Sequence, residues 1–410
     1  MPSPTDGVSR RDFVRATTAV AALATQLKAA AADPPAPVNA SRPLLTPATD
    51  FEDVSRGNPK PHTLTGDALV QARLTPETWR LEIAADPTVD DVVKKPATIA
   101  KPVTLDLPAL LDLGKTHAVR FLKAMQCLNI ATPLGQGLWE GVPLRDVLRL
   151  CGRVTNVRRI YYWGFHNNDP KQVFRSSMSY TQAMETPPGE LPAFLAYRLN
   201  GEPIPLARGG PVRMVVPWAY GFKSIKWLQH IALTNDFRAN DTYANDNNDP
   251  ESHLKTAAYL DKLAGQSPAG RPVAVTGVAV CGLSGLRRVE VWVRPAAEKP
   301  VDLADDDPAW AGAEWTAARL DGPPSDWASA LPAGVSAKDV LGFDKATGRP
   351  TAWPLRYSMV GWSAAITGLK PGRYEVRARA VDANGFAQPE PRPYQKSGKN
   401  AIPVRRIEIV

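Results

Sequence analysis

Three cysteines, Cys127, Cys151 and Cys281, are the residues of this chain whose chemistry depends most on their surroundings. Cys127 stands in "FLKAMQCLNIATPLGQG", after an apolar stretch and before a glycine-rich one. No two cysteines have C-x-x-C spacing, so the sequence encodes neither a structural zinc site nor covalent attachment of a c-type haem. A lone thiol such as Cys127 can ligate a metal as a thiolate, or it can be a buried and unreactive side chain.

Cys151 and the histidines are weaker candidates for chemistry. The segment "PLRDVLRLCG" predicts one helix, with Pro143 in its first turn, Gly152 at its end, and an apolar face made of Leu144, Val147, Leu148 and Cys151. Cys151 is therefore predicted to pack in the core. The five histidines lack metal-ligand spacing and are interpreted as surface or packing residues: His62, His117, His166, His230 and His253.

The composition indicates a globular, loop-rich protein with much β-structure. Its 410 residues are 44% hydrophobic, enough to bury a core and to divide into two or three domains. The 40 prolines and 29 glycines disfavour a helical bundle. The net charge is +8, but lysine and arginine are scattered among aspartate and glutamate. We therefore expect an anionic ligand or substrate and no nucleic-acid partner.

Residues 1–32 predict an export signal. Arg10 and Arg11 precede Phe13, a modestly apolar alanine-rich stretch and small residues at 30–32, which is the pattern of a twin-arginine signal peptide. The alternative is an amphipathic helix with a chance arginine pair. The apolar stretch is shorter than the roughly 20 residues of a spanning helix, and no other segment reaches that length, so no membrane span is predicted. Because the twin-arginine route carries folded proteins, the signal predicts a bound cofactor and a periplasmic location.

The rest of the chain changes character near residue 263. Residues 33–75 are proline-rich and polar, as in an extended arm, and residues 78–260 mix short strands and helices. The later segments "RRVEVWV", "RYEVRARAVD" and "RRIEIV" alternate apolar and polar residues, which predicts half-buried antiparallel strands of a β-sandwich. The acidic and proline-rich stretch 298–336 is interpreted as an insertion between strands.

The motifs, taken in order, resemble those of the sulfite oxidase family. They are "MQC", "GLWEGVPLRDVL", "GGPVRMVVPWAYGFKSIKWLQHI", "GLRRVEVWV" and "VRARAVDANGFAQP". The resemblance implies an α+β fold class: a mixed α/β molybdopterin-binding domain at 33–262, followed by an all-β, immunoglobulin-like dimerisation domain at 271–410. It therefore implies a homodimer. It also implies one molybdenum-molybdopterin per chain. Because the sequence has no haem motif, no haem is expected.

The resemblance assigns roles to individual residues. Cys127 would be the metal ligand and a catalytic residue. Arg213 and Lys226 would hold the cofactor phosphate, aided by the backbone of Ser224 and Ile225. The remaining implied site residues are Asp169 at the pterin ring, Arg208 in place of a family histidine at the phosphate, Lys223 at the substrate, and Trp139 in the substrate funnel, with core packing as its alternative.

Departures from the family pattern leave the substrate open. The arginine that usually follows the cysteine is missing, and Phe174 occupies the position of the usual pocket tyrosine. The segments "ATDFEDVSRG", "VPWAYGFKSIK" and "TYANDNNDPESH" are similar to periplasmic methionine sulfoxide reductases. The first expectation is oxidation of sulfite to sulfate, since Arg208, Arg175, Lys223 and Arg56 could bind a dianion. The second is reduction of sulfoxides such as methionine sulfoxide.

Electrons need a route in either reaction. The sequence has no haem or flavin motif, so an external carrier, such as a c-type cytochrome, is expected to exchange electrons with the protein. A non-enzyme alternative, an exported β-sandwich binding protein, would explain the C-terminal module and the signal. It would leave Cys127 and the "PWAYGFKSIK" segment without a role.

Overall fold

The computed structural model describes residues 42–88, 101–246, 248–298, 303–389, 398 and 400–410. All of them belong to one compact unit, Asn39–Val410. The predicted export signal at 1–32 lies outside the described residues. Among the helices that the described ranges contain, none is long and apolar enough to cross a membrane.

Ten strands and four α-helices precede residue 250. The strands are β1 (Arg80–Ala85), β2 (Val103–Asp106), β3 (Val119–Gln126), β4 (Pro133–Pro143), β5 (Arg159–Gly164), β6 (Arg175–Ser179), β7 (Phe194–Leu199), β8 (Glu202–Pro203), β9 (Arg213–Val215) and β10 (Leu228–Thr234). The helices are α1 (Gly66–Gln71), α2 (Leu107–His117), α3 (Leu144–Leu148) and α4 (Tyr180–Met184). These counts refer to the described residues.

These strands form two sheets. One has the order β2-β1-β10-β5-β6, with β1 and β10 parallel; the other has the order β3-β4-β7-β8, with β9 paired to β7. The predicted helix of "PLRDVLRLCG" is confirmed as α3, extended by a 3₁₀ turn at Arg149–Cys151. It ends at Gly152, whose φ of 68° favours glycine.

The C-terminal part contains two sheets packed face to face. Its strands are β11 (Ala257–Leu260), β12 (Gln266–Ser267), β13 (Val273–Val280), β14 (Arg288–Pro295), β15 (Thr316–Ala317), β16 (Arg319–Leu320), β17 (Met359–Ile366), β18 (Gly372–Val381) and β19 (Val404–Ile409), with the short helix α5 (Trp327–Ala330). The sheet orders are β11-β13-β17-β16 and β12-β19-β18-β14-β15. Apolar side chains of both sheets share one core, as in a β-sandwich.

The outward face of β14 and β18 is more buried than the alternating pattern of their residues predicts. The alternation of apolar and polar residues puts Glu290 and Glu375 on this face, yet both are buried. The reason is that Trp310 and Trp315, in the predicted insertion, fold back onto this face; the Arg379 guanidinium carbon lies 4.0 Å from the centroid of the Trp315 ring. The insertion therefore covers the sheet, and it contributes β15 and β16.

Strand β3 is covered on both faces. Phe121 and Met125 pack in a cluster on one face. On the other, Leu122 packs with residues of the C-terminal part, including Phe343 and Leu355. This double burial explains why "VRFLKAMQ" lacks alternation, and it fixes the strand that leads into Cys127.

Candidate cofactor site

A cleft brings together several distant parts of the chain. They include the N-terminal arm (residues 42–65), the loop after β3, the 165–174 segment between β5 and β6, and the 216–227 segment between β9 and β10. Six predicted site residues line this cleft: Cys127, Arg208, Arg213, Ser224, Ile225 and Lys226. The structure thus places the thiol in the same cleft as the cations assigned to phosphate.

Cys127 is held by the loop that follows β3. The pairing of β3 with β4 shifts register between Met125 and Gln126, a bulge that turns the chain out of the sheet. The buried Gln126 side chain donates hydrogen bonds to the carbonyl oxygens of Cys127 (3.0 Å) and Ile130 (2.6 Å). A Cβ atom on Gly221 would lie 3.2 Å from the Gln126 carbonyl oxygen, so the 216–227 segment closes against this loop.

Three of the cations that line the cleft were assigned to the phosphate, and Arg213 is the inner one. It is 6% exposed, and its two terminal nitrogens donate to the carbonyl oxygens of Arg208 (2.7 Å) and Ser224 (2.6 Å). Its Nε has no hydrogen-bond partner among the described residues. Burial, together with the charge of Arg208, lowers the pKa of Arg213 to about 9. A buried guanidinium with a spare donor fits an anionic ligand.

Lys226 is the outer one of these three cations. Its ammonium donates to the Asp53 carboxylate (3.2 Å), the Ser55 hydroxyl and the Ala207 carbonyl (2.7 Å). Burial and the charge of Arg213 lower the pKa of Lys226 to about 7, despite the nearby Asp53. Burial alone would raise the pKa of Asp53, but the Ser55 hydrogen bond and the Lys226 charge hold it well below its ordinary value.

Arg208 completes this cation cradle, which we define as Arg208, Arg213 and Lys226. Its guanidinium donates to the Phe51 carbonyl (2.6 Å), so the arm is tied to the cradle. Gly209 follows at φ 99°, where a Cβ would lie 2.6 Å from the Lys226 side chain. Among the described ion pairs, Lys226 is the member of the cradle that has a carboxylate partner, Asp53, and a phosphate ester would supply negative charge to the other two cations.

Three predicted site residues lie away from the cleft wall. Trp139 is 0% exposed and packs 5.1 Å from the Arg213 guanidinium, so it supports the cradle from the core and does not line a funnel. Lys223 is 3% exposed and paired with Asp241 at 2.9 Å. Asp169 accepts a hydrogen bond from the Lys171 amide at 2.9 Å and caps a 3₁₀ turn.

Two further cations were expected to bind a dianion. Arg175 donates to the Asn240 carbonyl (2.9 Å) and lies over the Tyr161 ring, so it does not line the cleft. Arg56, on the arm, does line it. Sequence reasoning missed Asp53 and Ser55 beside it, although the quoted segment "ATDFEDVSRG" contains both.

The residues present fit a molybdenum-molybdopterin cofactor. A thiolate from Cys127 is a soft ligand suited to molybdenum, and the cradle, with its orphaned Arg213 Nε, is suited to the pterin's phosphate. Within this one cleft, Cys127 would hold the metal of the cofactor and the cradle would hold its phosphate.

Comparisons with known proteins agree with this geometry. Residues 68–242 match the family model of the oxidoreductase molybdopterin binding domain. A nitrate reductase [NAD(P)H] of Betula pendula is 33% identical over 129 residues, covering 30% of this chain and 14% of the relative. The mitochondrial sulfite oxidase of Rattus norvegicus is 27% identical over 211 residues, covering 48% of this chain and 37% of the relative. The chain thus spans well under half the length of these curated relatives.

One solved structure resembles nearly the whole chain. The sulfane dehydrogenase SoxCD from Paracoccus pantotrophus superposes with a TM-score of 0.54 at 17% identity, covering 85% of this chain and 83% of that one. At this identity the likeness shows the fold.

The class follows from the matched region: residues 68–242 form a molybdopterin-binding oxidoreductase domain. Sulfite oxidases and nitrate reductases are among the relatives that share sequence with this chain, in agreement with the family that its motifs predicted. The mixed α/β part of the predicted fold is also confirmed. The immunoglobulin-like assignment and the boundaries at 262 and 271 stay predictions.

Proposed function

We propose that this protein is an enzyme that uses molybdenum-molybdopterin to transfer one oxygen atom to or from a sulfur atom. The observation that carries the proposal is the shared cleft, which holds the Cys127 thiol and the cation cradle together. The bound cofactor supplies the oxygen transfer and stores two electrons, while the protein binds it, orients it and selects the substrate.

The first candidate reaction is oxidation of sulfite. Sulfite and water give sulfate, two protons and two electrons, and the electrons pass to an external carrier such as a c-type cytochrome. Sulfite oxidase relatives support this candidate. Within the cleft, Arg56 and Arg208 are the two of the four expected cations that line the wall.

The second candidate is reduction of a sulfoxide, which takes two electrons and two protons and gives a thioether and water. The position of the cations favours it. Lys223 and Arg175 are turned away from the cleft, and Arg208 belongs to the cradle. A neutral sulfoxide needs fewer cations than a dianion does.

The proposal extends to location and assembly. The twin-arginine pattern at Arg10 and Arg11 supports export to the periplasm. The two-sheet C-terminal part supports an immunoglobulin-like module, through which two chains would form a homodimer.

Metal analysis and assays in both directions test the proposal. We expect about one molybdenum per chain in protein made by a host that synthesises molybdopterin. The loaded protein should turn over sulfite with ferricyanide, or methionine sulfoxide with reduced viologen. Absence of molybdenum would instead support the binding-protein alternative, and turnover of the sulfoxide alone would replace the first candidate with the second.

A further inference from the structure

Three aromatic rings form a second, differently built part of the cleft. Phe174, Phe222 and Tyr243 all line it. The ring centroids of Phe222 and Tyr243 lie 4.7 Å apart, those of Phe174 and Tyr243 lie 5.3 Å apart, and those of Phe174 and Phe222 lie 6.5 Å apart, each pair edge to face. We call these three rings the aromatic wall. Such a wall offers apolar surface to an organic group.

The aromatic wall lies beside the thiol. Phe222 directly follows Gly221, whose missing side chain lets the backbone approach the Gln126 carbonyl next to Cys127. Leu128, on the other side of Cys127, belongs to the same hydrophobic cluster as Tyr243, and Phe174 and Phe222 pack against that cluster. The wall therefore borders the place where chemistry would occur.

Arg56 supplies charge at this wall. Its guanidinium carbon lies 4.5 Å from the centroid of the Phe174 ring and 5.1 Å from that of Tyr243, and it donates a hydrogen bond to the Tyr243 hydroxyl. Arg56 is exposed and keeps donors for a ligand. Lys223 is committed to Asp241, and its ammonium also donates to the Ser177 carbonyl at 2.8 Å.

One cation beside an apolar wall matches a particular class of sulfur compound. Sulfite as a dianion calls for several cations around its oxygens. An organic sulfinate, R–SO₂⁻, has the same sulfur lone pair as sulfite, but it carries one negative charge and an organic group. The charge would pair with Arg56 and the organic group would contact the rings.

Resting on the proposed oxygen transfer, we infer that organic sulfinates are the substrate class of this cleft and that the aromatic wall determines specificity. A sulfinate and water give a sulfonate, two protons and two electrons. One new bond forms between sulfur and an oxygen that derives from water, no bond to the organic group breaks, and the external carrier takes the electrons.

The test compares benzenesulfinate, methanesulfinate and sulfite as substrates of the molybdenum-loaded protein, with ferricyanide as the acceptor. We expect kcat/KM for benzenesulfinate to exceed that for sulfite by about tenfold or more, since an apolar group in a matching pocket contributes a factor of this size. Phe222→Ala should lower kcat/KM for benzenesulfinate about tenfold and change that for sulfite less than about threefold. Phe237→Ala, which removes a ring that is 69% exposed and outside the cleft, is the matched control and should change neither.

An inhibition measurement on the wild-type protein covers the case in which Phe222→Ala does not fold. In the wild-type protein, the product benzenesulfonate should inhibit at a concentration about tenfold below that of sulfate. Equal inhibition by both ions, or oxidation of sulfite with no oxidation of either sulfinate, would overturn the sulfinate inference and leave the proposed function intact. Loaded protein that turns over neither sulfite, sulfinates nor sulfoxides would instead defeat the proposed function.

Discussion

At the scale of single residues, the three thiols differ in their surroundings. Burial raises the pKa of Cys151 to about 11 and that of Cys281, which is nearly enclosed, to about 12. Both thiols therefore stay protonated at neutral pH. Cys127 is half-buried and lines the cleft. The surroundings of the three thiols thus favour Cys127 as the proposed metal ligand.

The first prediction is that Cys127→Ser abolishes turnover and leaves the fold intact. A hydroxyl cannot replace the electronic role of a thiolate ligand, while the loop is held by Gln126 and Gly221. Turnover and thermal unfolding of the purified variant check this. Cys151→Ser and Cys281→Ala are the controls and should keep molybdenum and activity. A wild-type rate in Cys127→Ser would remove the ligand assignment.

The second prediction concerns the charge state of Lys226. Its pKa in the folded protein, about 7, lies below its ordinary value, so the charged form is disfavoured and stability is lost as pH falls from the unfolded value through 7. A bound dianion relieves this penalty. In chain made without molybdopterin, sulfate should raise the melting temperature by about 3 °C more at pH 6 than at pH 9.

Lys226→Met and a chloride buffer of equal ionic strength are the controls for that measurement. Both should remove the pH-dependent part of the stabilisation. Sulfate stabilisation that is equal at the two pH values, or unchanged in Lys226→Met, would contradict the role of Lys226 in anion binding.

At the scale of elements, β3 and the 216–227 segment are joined by a buried lysine. Lys123 is 0% exposed, and its ammonium donates to the carbonyl oxygens of Pro217 (2.8 Å) and Ala219 (3.3 Å). The strand that leads to Cys127 is thereby tied to the segment that carries Lys226. Burial, with the charge of Arg213, lowers the pKa of Lys123 to about 7.

The third prediction follows from that pKa. Between pH 7 and the unfolded value, the folded chain binds fewer protons at Lys123 than the unfolded chain does, so stability rises with pH in this window. In Lys123→Met, urea unfolding should lose about 1–2 kcal/mol of the rise that wild type shows between pH 7 and pH 9. Lys115→Met, at an exposed position on α2, should keep the wild-type rise. An identical rise in Lys123→Met would show that the ammonium does not titrate there.

At the scale of the whole molecule, the C-terminal part supports the strand that bears the site. The Ala124 amide donates to the Tyr357 carbonyl at 2.8 Å, and the Gln136 side chain exchanges hydrogen bonds with the backbone of Met359. Leu122 and Leu138 pack with apolar residues of the 331–355 region. The sandwich and its insertion are thus part of the scaffold of the cleft.

The fourth prediction is a homodimer formed through the C-terminal part. Light scattering at micromolar concentration should give twice the chain mass of 44.4 kDa, before any processing of the N-terminus. Deletion of residues 271–410 should give a monomer or an aggregate that also loses molybdenum, because β3 loses its support. A monomeric full-length protein would contradict the dimer.

Much of the architecture followed from local signals in the chain. Alternation in "RYEVRARAVD" predicted β18, and the proline, apolar face and glycine of "PLRDVLRLCG" predicted α3. The motif around Cys127 predicted the cofactor domain, which the family match confirms. These features could be predicted because a helix or a strand depends on residues that are close along the chain, and the cofactor domain is marked by short motifs in a fixed order.

Only the tertiary structure decided which side chains face the cleft. Lys223 and Trp139 turn inward although their motifs suggested the substrate. Ser55 and Arg56 line the cleft because the arm is tied to Arg208. Glu375 is buried because Trp310 lies over its sheet neighbour Arg377. Side-chain direction and long-range contacts depend on packing between segments that are far apart in sequence, which no local pattern of residues specifies.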